Sequence, residues 1–218
     1  MKNAILENKL VSLLLLITSY LLIYNPWTKF PYTFCVIIIF IIFATYLQDK
    51  NLSSLNFKRI GSVEIKIIIV CYLFLELSVD FFFQPLINWI CNEPADYSTF
   101  VHLEGNKKLY SEWLLKMWIS AAIGEELLFR AFVFSQLDRL IGNKKLIIVF
   151  ISAVLFCLPH LYQGIAGLLT TFTFGIGFGL IYMKFKNIWI NILVHGLIDT
   201  IFLTLSFLGL LDFYSLVW

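Results

Sequence analysis

Apolar residues in this chain come in long runs broken by short polar stretches, without the strict alternation of a strand or the narrow stripe of a surface helix. A helix crossing a bilayer needs about 20 mostly apolar residues, with a range of about 17–25. Runs near that length, bounded by charges, Pro or Asn, cover residues 10–24, 31–47, 65–90, 113–137, 146–162, 165–183 and 188–211. The pattern predicts an all-α fold, a polytopic transmembrane helix bundle of seven spans, or eight if the long third run conceals a break. The first run follows Lys2 and Lys9 as a signal peptide would. Tyr24-Asn25-Pro26-Trp27 offers no small-residue cleavage site, so the run is read as a retained helix. Residues 91–112 are the one long polar stretch, expected outside the membrane. With no internal repeat or low-complexity tract, residues 1–218 read as a single transmembrane domain.

Composition narrows the class. Of 218 residues, 60% are hydrophobic and only 14% charged, whereas a soluble domain carries about 25% charged residues. A single globule of this size could not hide that much apolar surface. The 22 Phe, 6 Trp and 10 Tyr exclude a disordered chain. A balance of 16 Lys+Arg against 14 Asp+Glu gives no basic footprint for nucleic acid. The basic residues are unevenly placed. With the N-terminus in the cytoplasm, Lys2, Lys9, Lys50, Lys58, Arg59, Lys66, Arg139, Lys144, Lys145, Lys184 and Lys186 fall inside, and only Lys29, Lys107 and Lys108 outside. That asymmetry obeys the positive-inside rule and favours an odd number of crossings. Cys35, Cys71, Cys91 and Cys157 form no CxxC pair and are expected to act as small hydrophobes rather than in a disulfide. The terminal Ser215-Leu216-Val217-Trp218 is no prenylation box.

Ionisable groups inside spans are costly and point to function. The densest group is Gly124-Glu125-Glu126-Leu127-Leu128-Phe129-Arg130. On a helix Glu126 and Arg130 share a face, and Glu125 points about 100° away. Glu126 can thus neutralise Arg130, leaving Glu125 as a carboxylate without a local partner, suited to general-base work. Alternatively, all three form a structural ion cluster. His160 follows Phe156 by four and comes directly after Pro159, which opens the helix there. His195 precedes Asp199 by four, so imidazole and carboxylate could hydrogen-bond across one turn. Either histidine alone could be an interhelical hydrogen-bond partner; His102 lies in the polar loop. Taken together, a free Glu, two His and an Asp can bind a water, remove its proton and steady an oxyanion, the requirements of peptide hydrolysis. Gly175 and Gly179 form a small-xxx-small face for close helix packing. Glu76 and Asp80, four apart near the outer end of the third run, are expected to face a water-filled vestibule or the interface. Two depths conflict: counting about 1.5 Å per residue puts His195 roughly 10 Å deep and His160 roughly 20 Å deep. A re-entrant or shortened helix at Pro159 would reconcile them.

These motifs resemble the CPBP family of CAAX proteases and bacteriocin-processing enzymes, also called Abi proteins. Glu125-Glu126-Leu127-Leu128-Phe129-Arg130 is similar to its Glu-Glu-x-x-x-Arg signature, Phe156-Cys157-Leu158-Pro159-His160 to Phe-x-x-x-His, and His195-Gly196-Leu197-Ile198-Asp199 to His-x-x-x-Asn/Asp. The likeness covers roughly residues 113–200, within a motif-bearing core at 113–211. It implies that Glu125 and His160 activate the attacking water, that His195 and Asp199 stabilise the oxyanion, and that Glu126 and Arg130 give structural support. Two departures stand out. Ala131 follows the arginine where the family often has Gly. Asp199 replaces the Asn of the eukaryotic enzymes; unprotonated it cannot donate a hydrogen bond, so it would orient His195.

The expected function is therefore an intramembrane endopeptidase using a Glu/His-activated water, in the plasma membrane of a bacterium. Its partners would be membrane lipid and a peptide or protein substrate, prenylated or a bacteriocin or signal peptide. A cofactor-free mechanism is preferred because there is no His-Glu-x-x-His pair. A zinc-dependent version through Glu125, His160 and His195 stays open. The competing classes are a non-catalytic membrane peptide binder or bacteriocin-immunity protein and, ranked last for want of an inverted repeat, a proton-coupled transporter.

Overall fold

The computed structural model describes residues 2–94 and 97–215, with side chains for 9–94 and 97–213. Leu216, Val217, Trp218 and the Lys2 side chain, which entered the reading above, lie outside the described residues. The fold is all-α, 85% helical and without strands among the described residues. Unbroken apolar sequence produces this because helices satisfy every interior N–H and C=O within their own segment, as lipid demands.

The helices are α1 (Lys2–Leu21), α2 (Tyr32–Asp49), α3 (Ser62–Ser78), α4 (Gln84–Cys91), α5 (Lys107–Met117), α6 (Val133–Ile141), α7 (Lys145–Cys157), α8 (Gly164–Phe185) and α9 (Ile188–Phe207). Two joints are widened helix rather than loop. A π-helical turn, Val79–Phe83, carries α3 into α4, and a π-helical stretch, Trp118–Phe132, carries α5 into α6. The third apolar run is thus a continuous helical path through a wide turn rather than two helices joined by a loop. A 3₁₀ segment, Leu158–Gln163, follows α7. Pro159 lies in its first turn, where it removes a donor that continued α-helix would need. The helix is shortened there, one of the two forms expected at Pro159.

Contacts between loops define two ends of the bundle. At one end Arg139 pairs with Asp49 at 2.7 Å, Asn56 donates to the Tyr182 hydroxyl at 2.8 Å, and Asn187 donates to the Arg59 carbonyl at 3.3 Å. At the other, Ser206 donates to the Phe100 carbonyl at 2.6 Å and the Ala166 N–H donates to Glu93 at 2.9 Å. The basic loops gather at the first end. By length and composition, three segments among the described residues suffice to cross a membrane: Tyr32–Asp49, Lys145–Phe185, which includes α7 and α8, and Ile188–Phe207; Lys9–Tyr24 is a shorter apolar helix. The protein is an integral membrane protein, and its outer surface agrees. Ile39, Val70, Phe74 and Leu146 are each more than 60% exposed, far more apolar surface than a soluble monomer leaves wet.

The core centres on the π-helical stretch, which packs against α2 and α9. Gly124 permits the α2 contact: a Cβ there would meet Phe34 Cδ1 at 2.7 Å. Gly175 and Gly179 do the same between α8 and α7, with Ala153 Cα 3.0 Å and Val149 Cγ1 2.9 Å from their hypothetical Cβ atoms. This is the small-residue packing face expected from the sequence. All four cysteines are free thiols. Gly179→Leu should lower stability by about 1–3 kcal/mol through overpacking, while Leu180→Ala on the exposed flank changes it little. Thermal unfolding of the purified protein in detergent, followed by tryptophan fluorescence, checks both.

Candidate active site

The π-helical stretch buries two of its three charged residues completely. Glu126 and Arg130 are fully buried, and their ion pair closes at 3.1 Å. The i→i+4 pairing read from sequence is therefore made, but Glu126 does more. Its Oε1 also accepts from His195 Nδ1 at 2.9 Å, and its Oε2 accepts from Asn191 Nδ2 at 3.2 Å. Asn191 gives a second hydrogen bond to the Phe178 carbonyl at 2.9 Å, tying α9 to α8. One carboxylate thus joins three side chains and both long helices of the core.

Aromatic rings complete the packing of Arg130. Its guanidinium carbon lies 4.1 Å from the Phe156 ring centre and 5.0 Å from that of Phe178. Such cation–π contact suits a guanidinium in a dry site. Phe156 is a shared hinge of the cluster, with ring centres 5.6 Å from His160, 6.3 Å from His195 and 5.4 Å from Phe129. Phe178 stacks on His195 at 4.8 Å.

Glu125 is half-buried and makes no hydrogen bond or ion pair among the described residues. It remains within electrostatic reach of Arg130, His195 and Asp199. The free and the engaged carboxylate are thus distributed as the helical-face argument expects, though the helix is widened there. The last N–H of the stretch, from Val133, bonds to the Leu128 carbonyl five residues back. Widened helices occur mostly at functional sites.

His195 lies between two carboxylates. Glu126 holds Nδ1, while Asp199 Oδ2 stands 3.8 Å from Nε2. That separation is too long for a hydrogen bond, so the direct His195–Asp199 bond expected from their spacing is not made, and Asp199 Oδ2 is buried without a hydrogen-bond partner. The reason is that His195 is turned by Glu126 on another helix, a contact invisible to sequence spacing. His160 projects from the 3₁₀ segment with Nδ1 3.1 Å from the Phe156 carbonyl. A carbonyl only accepts, so Nδ1 carries the proton and a neutral His160 presents Nε2 as a base.

Glu125, Glu126, Arg130, His195 and Asp199 are therefore brought together, and His160 reaches them through Phe156. Among the described residues, no hydrogen bond or ion pair joins Glu125 to His160, and no three His, Cys, Asp or Glu side chains converge to hold a metal ion. Asn191 was missed from sequence. Its signal was present: Asn191, His195 and Asp199 recur every four residues along one face of α9.

Residues 109–201 match the family model of the Rce1-like type II CAAX prenyl endopeptidases. The matched segment contains all three of the motifs read from the sequence. No curated protein and no solved structure matches the chain. Removing one partner of a buried pair costs about 3–5 kcal/mol, so Arg130→Ala should strongly destabilise the fold. Adding Glu126→Gln should recover part of that loss, because no unpaired charge then remains. A double-mutant cycle of unfolding midpoints in detergent measures the coupling.

Proposed function

We propose that the protein is an intramembrane endopeptidase that hydrolyses a peptide bond with a water activated by Glu125 and His160. The observation that carries this reading is the unequal state of the two adjacent glutamates: Glu126 is engaged by Arg130, His195 and Asn191, and Glu125 has no such partner among the described residues. A half-buried carboxylate that makes no hydrogen bond or ion pair among the described residues is suited to general-base work.

In the proposed reaction Glu125 takes a proton from a water that also donates to His160 Nε2. The water oxygen attacks the carbonyl carbon, and the carbonyl π electrons move onto oxygen. His195, flanked by Glu126 and Asp199, donates from Nε2 to that oxyanion. Collapse of the tetrahedral adduct breaks the C–N bond, and the proton held by Glu125 passes to the leaving amine. Asp199 orients His195 electrostatically, at ion-pair rather than hydrogen-bond distance. Glu126 and Arg130 keep π-stretch, α7 and α9 in register.

The family match favours a peptide or prenylated protein presented at the membrane, with bacteriocin or signal peptides as the other substrates in range. All seven apolar runs are proposed to cross the membrane, with the basic end and the N-terminus in the cytoplasm of a bacterial cell.

Glu125→Gln should lower cleavage by about 10²-fold or more while leaving the unfolding midpoint unchanged, since Glu125 holds no structural bond. Cleavage is measured on a prenylated CAAX peptide and on a bacteriocin leader with purified protein. Undiminished turnover by this variant sinks the mechanism. Activity lost to a chelator and restored only by Zn²⁺ replaces it with a metal-dependent one. A cellular phenotype that outlasts complete loss of cleavage favours the peptide binder.

A further inference from the structure

Asp80 sits on the π-helical turn between α3 and α4 and is only 8% exposed. Among the described residues it has no hydrogen-bond donor and no cationic partner. The charge that acts on it is of its own sign, Glu76 one turn earlier, itself 6% exposed. A buried carboxylate facing a like charge is relieved either by taking up a proton or by a counter-charge that visits it.

The side chain opens on a cavity of about 720 Å³ at the end of the bundle away from the basic loops, a volume within the range of small-ligand sites. Gln84, Asn88, Glu93, Tyr97 and Asp212 share its wall, and no described Lys, Arg or His does. The lining is rich in oxygen acceptors and holds three carboxylates. Two of its residues reach the catalytic elements. Glu93 accepts from the Ala166 N–H at 2.9 Å, at the start of α8 just past the segment bearing His160. The Tyr97 ring lies 5.7 Å from that of Phe202, one turn beyond Asp199 on α9.

We propose that this cavity binds the ammonium or guanidinium head of a Lys or Arg side chain in the peptide substrate, with Asp80 as its counter-ion. A fork of N–H donors meets carboxylates and amide oxygens there, and the aromatic ring of Tyr97 adds a face for the cation. The site would select peptides carrying a basic residue on the side of the scissile bond that points away from the basic loops. Its assignment to a substrate rests on the peptidase reading; its affinity for the cation does not.

The test therefore uses full-length Glu125→Gln protein in detergent, in which no cleavage is needed. N-acetyl-arginine methylamide and its uncharged citrulline twin are titrated, with binding read from tryptophan fluorescence and the shift of the unfolding midpoint. The arginine compound should bind, and both the citrulline exchange and an added Asp80→Asn should weaken binding by about tenfold or more. Asp80→Asn removes an unpaired buried charge, so the fold should be kept or strengthened. Equal binding of the two compounds, no binding, or indifference to Asp80→Asn overturns the proposal. Competition by Na⁺, K⁺, Mg²⁺ or Ca²⁺ at millimolar concentration would also overturn it, in favour of an inorganic ion site. Because the readout is binding, its failure leaves the cleavage assay standing, and loss of the peptidase reading leaves a positive titration standing.

Discussion

The Glu126 carboxylate is the interaction around which the rest of the molecule is arranged. It is fully buried, pairs with the Arg130 guanidinium at 3.1 Å, and accepts from His195 at 2.9 Å and Asn191 at 3.2 Å. In a medium without water, a charge in this position must be met from every side. Meeting it requires the π-helical stretch and α9 to lie side by side in one register. It also fixes which face His195 presents, because Nδ1 is committed to Glu126 and only Nε2 remains for other work. The second requirement, a place for the Arg130 guanidinium, is satisfied by Phe156 and Phe178. Those rings in turn seat His160 and His195, so the electrostatic and aromatic contacts form one connected unit.

This arrangement leaves two neighbouring glutamates in different surroundings. Glu126 is immobilised by its three partners, while Glu125 makes no hydrogen bond or ion pair among the described residues. The widened helix allows two adjacent glutamates to occupy such different surroundings without breaking the helix between them. The shortened α7 serves the same end: by stopping at Cys157 and continuing as 3₁₀ turn, it brings His160 back toward the cluster instead of carrying it past. Glycines at 175 and 179 let α8 lie against α7 closely enough for Phe178 and Phe156 to meet the same guanidinium.

Much of this was legible in the chain. The apolar runs marked helices correctly because lipid admits few other structures, and the rarity of charge made each intramembrane polar residue conspicuous. The Glu126–Arg130 pair and the separateness of Glu125 followed from helical spacing alone. Two features were not legible. The π-helical stretches at Val79–Phe83 and Trp118–Phe132 depend on how neighbouring helices crowd the backbone, and no residue pattern encodes a change from i→i+4 to i→i+5 bonding. The His195–Asp199 bond expected from spacing was displaced by Glu126, 69 residues away in sequence.

By itself, then, the sequence determined the class of solvent, the helical architecture and the identity of the polar residues, since each depends on local composition and on the 3.6-residue period. Only the tertiary structure decided how those residues are used. Whether an imidazole turns toward Asp199 or Glu126, and whether Asp80 opens on a cavity or meets a cation, depends on which helices are neighbours. The physical reason is that in a dry interior a polar group takes the best partner within about 3 Å, and that partner can come from any point along the chain.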